Sequence, residues 1–277
     1  MNMRKLFLVC AMAVFGLGQS FAQLDDDDYG FFNHMSLGVS AGTDGIGVQL
    51  AAPLTYHFAV RAGFSVMPGF KYTTSLDLGS DDIGAFKTDK VDLEGKLKMS
   101  NFNILFDYYP FSSSSFRVTA GAYIGNSDIV SVKNTNDFIN AGYAGKAGIN
   151  LSRSGSSIQE KYVLITDSKG NVQADLKVNS FKPYIGIGFG RAVPRKRIGM
   201  QFDLGVQFWG KPEVQTNLMY YDNAEGDFVT RYEKVQKGRI TRSHDDKDYK
   251  DLRDAIKTIE AVGVYPVLTF RLNGRLF

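Results

Sequence analysis

The chain has 277 residues, with 32 Lys+Arg against 29 Asp+Glu, 29 glycines, 13% aromatic residues and a mean hydropathy of -0.16. Setting aside Arg4 and Lys5 in the N-terminal segment leaves 30 basic residues, so the pI of about 8.7 does not mark a nucleic-acid binder, and the hydropathy is too polar for a helical membrane protein. The single cysteine, Cys10, lies in that same segment, so the rest of the chain holds no disulfide, no thiolate nucleophile and no cysteine metal site.

Arg4 and Lys5 precede an apolar run from Leu6 to Leu17 and the small-residue site Ser20-Phe21-Ala22. This pattern predicts a secretory signal over residues 1–22, cleaved near Ala22, because the apolar run is too short for a helix crossing about 30 Å of hydrocarbon. Val9 before Cys10 argues against a lipoprotein. Residues 23–32, with Asp25 to Asp28, read as an acidic, solvated leader; consecutive aspartates lack the spaced ligands and turn glycine of a calcium loop.

From residue 33 to 277 the dominant signal is alternation with period two. Met35, Leu37, Val39 and Ala41 form one apolar face. Asp44-Gly45 predicts a tight hairpin into Ile46, Val48, Leu50 and Ala52, which Pro53 ends. Further apolar faces follow at Phe58–Val66, Phe102–Tyr108, Phe116–Ile124, Phe181–Phe189, Ile198–Phe208 and Val264–Leu272, each opposed by small or polar residues.

The connections Pro53 to Tyr56, Pro110 to Ser115 and Arg191 to Arg197 are short, whereas those near 68–90, 125–178 and 210–262 are long. Outer-membrane barrels segregate short periplasmic turns from long external loops in this way, and runs of nine to eleven residues suit strands tilted by roughly 45° across lipid. The expected fold is therefore all-β: a transmembrane antiparallel up-and-down barrel, eight strands being the leading count and ten to twelve the alternative. Girdles of aromatics are expected at its ends, with Tyr56, Phe58, Tyr108, Phe111, Phe116 and Phe189 at one and Phe64, Phe181, Phe208, Trp209 and Tyr265 at the other.

Within the loops, Tyr162 to Ile165 and Val172 to Val178 read as strands, the latter extending the Phe181 strand above the membrane. Val91 to Met99 carry apolar residues on odd positions while Phe102 to Tyr108 use even ones, which predicts a bulge near Ser100. Ser243 with Asp246, followed by Tyr249, Leu252, Ala255, Ile256 and Ile259, predicts one short helix in the last loop.

On this register Arg61, Asp107, Arg117 and Asp203 all point into a narrow lumen. Either they form a mutually neutralising ion-pair network, which buried charge requires, or they act as a gate or ion path. His34 and His57 fall at the periplasmic ends of strands, and His244 beside Ser243 and Asp245 is the only local set of the catalytic type; adjacent residues point apart, so a helix cap is the plainer reading. Gly186, Gly188 and Gly190 have no helix after them and are read as small residues that admit bulky neighbours. No cofactor, metal site or catalytic residue is expected.

Asp107-Tyr108-Tyr109-Pro110-Phe111 followed by Phe116 to Tyr123 resembles a periplasmic hairpin of small Gram-negative outer-membrane barrels of the outer-membrane protein A and W types. Pro183 to Gly190 and Tyr265-Pro266-Val267-Leu268 are similar to their later strands. The resemblance implies insertion by the barrel-assembly machinery, which reads a terminal aromatic with alternate apolar residues before it. Phe277 fits that signal, but Arg271, Asn273 and Arg275 do not, so a bulge near Asn273-Gly274 or a divergent signal is implied.

These readings predict a non-enzymatic outer-membrane protein of a Gram-negative bacterium, either a porin-like narrow conduit or an envelope-structural or surface-contact protein. Its expected partners are outer-membrane lipids and lipopolysaccharide, the assembly machinery, and small solutes or surface ligands, with no nucleic acid. A lipid-modifying barrel enzyme is the competing function, and a secreted soluble β-sandwich the competing fold.

Overall fold

The computed structural model describes residues 29–77, 87–88, 90–112, 114–146, 148–152, 156–240, 254, 256–258, 260–261 and 263–277. The predicted signal, Asp25 to Asp28, and the set Ser243, His244 and Asp245 lie outside them, as do Asp246, Tyr249, Leu252, Ala255 and Ile259. Among the described residues no helix is long and apolar enough to cross a membrane.

The fold is all-β and antiparallel. Its strands are β1 (Ser36–Gly42), β2 (Gly45–Pro53), β3 (Phe58–Asp77), β4 (Lys90–Tyr108), β5 (Phe116–Gly125), β6 (Asp128–Asn134), β7 (Gly148–Asn150), β8 (Tyr162–Ile165), β9 (Gln173–Lys177), β10 (Phe181–Phe189), β11 (Ile198–Phe208), β12 (Glu213–Asp222), β13 (Asp227–Lys234) and β14 (Val264–Arg275). The eight period-two runs coincide with β1 to β5, β10, β11 and β14. These strands pair in the order β3-β2-β1-β14-β11-β10-β5-β4, and β4 pairs again with β3, so the pairing returns to its start.

The remaining strands heighten one side of this ring. Asn101 pairs with Gly125 of β5, and a few residues further up β4 Leu97 pairs with Val130 of β6, so β6 continues the line of β5. In the same way β9 pairs with β6 and β12, taking the place above that β10 takes between β5 and β11. A break at Val178–Ser180 separates β9 from β10, bridged by bonds from Val178 N to Ser127 O and Asn179 N to Trp209 O, both 3.0 Å. The β1–β2 side stays low, because Gly42 and Gly45 flank a two-residue turn. Gly45 has φ +96° there, and a Cβ would meet Val66 O at 2.2 Å, so the turn admits only glycine.

Alternation decides which side chains face in. On β4 the odd residues Val91, Met99, Asn101, Asn103, Leu105 and Asp107 are buried, while Lys96, Lys98, Phe102, Ile104, Phe106 and Tyr108 are exposed. The facing never slips, so the bulge predicted near Ser100 is absent. The oily side of the strand changes instead: below Ser100 the inward residues are polar apart from Leu105 and the outside is apolar, and above it the inside is apolar and the outside charged. The irregularity lies on the neighbouring strand, between Met67 and Phe70 of β3, where Pro68 and Gly69 stand opposite Lys98 alone.

β14 likewise keeps an unbroken register to Arg275, pairing Ser36 with Arg275 and Ile198 with Gly274, so there is no bulge at Asn273-Gly274. Arg271, Asn273 and Arg275 face inward and are buried, which accounts for their clash with a lipid-facing pattern. In the last loop, residues 254, 256–258, 260 and 261 are helical, and Ile256 packs with Leu151, Tyr162, Leu218, Tyr220, Val235 and Ile240 in a separate core outside the ring.

Candidate functional site

The interior of the ring is filled in layers. At the end carrying the short turns, Tyr29, Ala51, Ala59, Tyr109, Ala192 and Val193 form an apolar layer with Tyr56 against it. Arg191, from the β10–β11 turn, places its guanidinium carbon 4.9, 4.3 and 5.0 Å from the ring centres of Tyr29, Tyr56 and Tyr109, and Nη1 donates to Tyr56 O at 3.2 Å. Three aromatic faces around one cation hold the turn against the mouth of the ring. The Tyr109 hydroxyl accepts from Ala192 N at 2.8 Å and fixes the same turn.

The next layer brings together the four residues expected in the lumen. Arg61 donates from Nη2 to Asp107 Oδ1 at 2.8 Å, has its Nε 2.7 Å from Asp107 Oδ2 as an ion pair, and reaches Asp203 Oδ2 through Nη1 at 3.1 Å. Arg117 Nη2 bonds Asp203 Oδ1 at 2.8 Å, its Nε lies 3.5 Å from Asp107 Oδ1, and its Nη1 donates to Gly190 O. The side chains of Arg61, Asp107 and Arg117 are 0% exposed. Thr119 Oγ1 donates to Asp107 Oδ1 at 2.7 Å, and Gln49 Oε1 accepts from Arg61 at 3.4 Å. Opposite charges in contact offset one another in this layer, the condition under which buried charge is tolerable, although Arg61 Nε, Arg117 Nε and Asp107 Oδ2 make no hydrogen bond.

A fifth charged residue belongs to this layer. Arg271 Nη1 lies 3.5 Å from Asp203 Oδ2 and donates to Gln201 Oε1 at 2.6 Å, giving three guanidiniums to two carboxylates. The parity of β14 could have found it: with Leu268, Phe270 and Leu272 outward, Thr269, Arg271 and Asn273 must face in.

Above the charges, Leu105, Tyr123, Tyr184 and Val267 form a layer in which the rings of Tyr123 and Tyr184 sit 5.4 Å apart. A Cβ on Gly186 or Gly205 would lie 2.4 or 2.5 Å from the Tyr184 hydroxyl, so these glycines are the space into which the tyrosine fits. Buried Lys182 then bonds Asn101 Oδ1 at 2.9 Å and Asn126 O at 3.1 Å. The loop end closes over Met67, Met99, Ile129, Val178 and Trp209. Here Trp209 and Tyr265 stack inward at 4.5 Å, so they are lid residues, and the outer aromatic girdle predicted from them loses both. Tyr56 is lost from the other girdle for the same reason, whereas Phe58, Phe64, Tyr108, Phe111, Phe181, Phe189 and Phe208 are exposed on the outer face.

His57 Nδ1 lies 2.7 Å from Tyr109 O at the turn end, and His34 stands near β1 at the same end; no serine–carboxylate set joins either among the described residues. No group of three or more metal-ligating side chains occurs among the described residues.

No protein-family model matches the chain, and no curated protein does. Among solved structures, the chain is similar to the crystal structure of Acinetobacter baumannii CarO, with 15% identity, a TM-score of 0.45, and coverage of 88% of this chain and 99% of that one. Acinetobacter baumannii CarO2 is similar at 18% identity and a TM-score of 0.42, over 87% of this chain and 98% of that one.

Proposed function

We propose that this chain is an integral outer-membrane protein of a Gram-negative bacterium, in which the ring of eight strands spans the lipid around a sealed lumen. The observation that carries the reading is the inverted ring. Val39, Ile46, Val48, Leu50, Phe64, Phe102, Ile104, Phe106, Ile185, Ile187, Phe202, Leu204, Leu268 and Phe270 are exposed around its outside, while a charged layer is buried inside. An apolar belt of this extent far exceeds the few hundred Å² that water-soluble monomers expose. On β10 the belt runs from Phe181 to Phe189, which at about 3.4 Å per residue and a tilt of about 40° spans roughly 21 Å, close to the apolar band of such barrels. A β-sandwich buries its apolar face, which disfavours that alternative.

The two apolar plugs and the fully buried charged layer between them favour an envelope-structural or surface-contact role over an open conduit. The raised wall of β6, β9, β12 and β13 would stand outside the cell, with lipopolysaccharide around the belt and the assembly machinery as a partner during insertion. Surface ligands would meet this wall. Planar bilayer recording of the purified, folded protein tests the sealed lumen: no single-channel steps are expected, and steps of reproducible size would restore the conduit reading.

A further inference from the structure

On the outer face of β3 and β4, directly above the end of the apolar belt, three lysines are neighbours in the pairing register. Lys71 of β3 stands opposite Lys96 of β4 in the pairing register, and Lys98 is two residues below Lys96 on the same face. All three are exposed. Directly opposed side chains have Cβ atoms about 5 Å apart, and like charges so placed repel. Only Lys71 has a carboxylate, Glu94 Oε1 at 3.1 Å; Lys96 and Lys98 make no ion pair among the described residues. Lys133 of β6 stands opposite Glu94.

The height of this triad selects its ligand. The side change of the apolar residues on β4 falls at Ser100. Lys98 and Lys96 lie two and four residues beyond it, or about 5 and 10 Å along the tilted strand's rise. The polar headgroup layer adds roughly 5–8 Å beyond the hydrocarbon on each side. The long lysine stems reach further through it.

We propose that Lys71, Lys96 and Lys98 form a binding site for the phosphate-bearing headgroup of an outer-leaflet lipid, the phosphate relieving the repulsion between the opposed ammonium groups. The site rests on the membrane-spanning reading above. Its acyl chains would lie on the belt below, against the outward faces of Phe64 and Phe102.

The test uses the full chain folded into phosphatidylcholine vesicles with a small fraction of spin-labelled phosphatidic acid, whose association with the protein is read from the immobilised component of the spectrum. Neutralisation by Lys71→Gln, Lys96→Gln and Lys98→Gln is expected to lower the association constant on the order of five-fold per lysine. Glu94→Gln is expected to raise it, and Lys196→Gln, an exposed lysine of the β10–β11 turn at the opposite end, to leave the triad-dependent component unchanged. An unchanged spectrum in the triple variant overturns the site. Displacement of the labelled lipid by inorganic phosphate as effective as by unlabelled phosphatidic acid would overturn the lipid as its occupant. Insertion is scored separately by heat-modifiable gel migration: a wild-type chain that does not insert contradicts the membrane reading itself, whereas an inserted chain without lipid preference contradicts only this site.

Discussion

Asp203→Asn removes one carboxylate from between three guanidiniums while keeping the shape of the side chain. Asp203 accepts from Arg61 at 3.1 Å and Arg117 at 2.8 Å and lies 3.5 Å from Arg271. With three guanidiniums and two carboxylates the layer carries a net charge of about +1 in the wild type and +2 in the variant, among buried side chains. Breaking a buried pair by deleting one partner costs about 3–5 kcal/mol, because the other charge is left uncompensated. At 1.4 kcal/mol per tenfold, the folded-to-unfolded ratio should fall by a factor of roughly 100 to 4,000. Urea titration of the vesicle-folded protein, followed by the heat-modifiable band, measures this loss. Combining Asp203→Asn with Arg271→Gln restores the net charge, so the double variant should be more stable than the sum of the two singles predicts, by about 1 kcal/mol or more. A single-variant loss below about 1 kcal/mol, or strict additivity, would refute the view that these five residues form one electrostatic unit.

Other perturbations follow from the same geometry. Gly205→Val forces its side chain against the Tyr184 ring and the Ile185 carbonyl oxygen and should cost about 1–3 kcal/mol or more in the same titration, with Tyr184→Phe rescuing only the part due to the hydroxyl. In the raised wall, burial tends to raise the Asp175 carboxyl, but hydrogen bonds from Ser131, Tyr232 and Gln173 outweigh it and hold it below the ordinary value. Its contribution is therefore complete above the unfolded value near 3.8 and is lost as pH falls through the lower folded value. Tyr232→Phe should move acid loosening of β9 and β13 to higher pH, read by limited proteolysis with an acid protease, and an unchanged profile would contradict the assignment. Arg191→Ala removes the cation from the three tyrosines at the turn end and should allow water-soluble thiol reagents to reach a cysteine placed at Ala59; continued protection would mean the seal does not depend on that residue.

Much of the ring is legible because alternation fixes facing without knowledge of neighbours: the strands at Phe102–Tyr108 and Phe181–Phe189 lie where their period-two runs predict, with the predicted faces outward. What alternation cannot encode is the medium on each side. The odd apolar residues of Val91 to Met99 face the same way as Asn101 and Asp107, and only the third dimension reveals that the interior turns oily above Ser100. For the same reason a girdle is expected of Trp209 and Tyr265, which close a lid instead. The charged layer is partly legible from parity; Arg271 lies beyond the four charges that parity alone singles out, because its mismatch with the lipid-facing pattern reads as a departure from the barrel-assembly signal rather than as an inward position on β14. The plug at the turn end joins Tyr29 to Val193 across 164 positions through a 3.2 Å bond, and no local pattern announces such a contact.

In the proposed membrane setting the medium around β4 inverts at Ser100 while the strand keeps its register. Single cysteines placed along the outward positions of β4, from Glu94 to Tyr108, in a chain freed of Cys10, can be probed in intact vesicles with a membrane-impermeant and a lipid-confined thiol reagent. Positions 94, 96 and 98 should react with the aqueous reagent alone and positions 102, 104 and 106 with the lipid-confined one alone, with the changeover at 100. Aqueous labelling at 104 and 106, or no changeover along the strand, would contradict it.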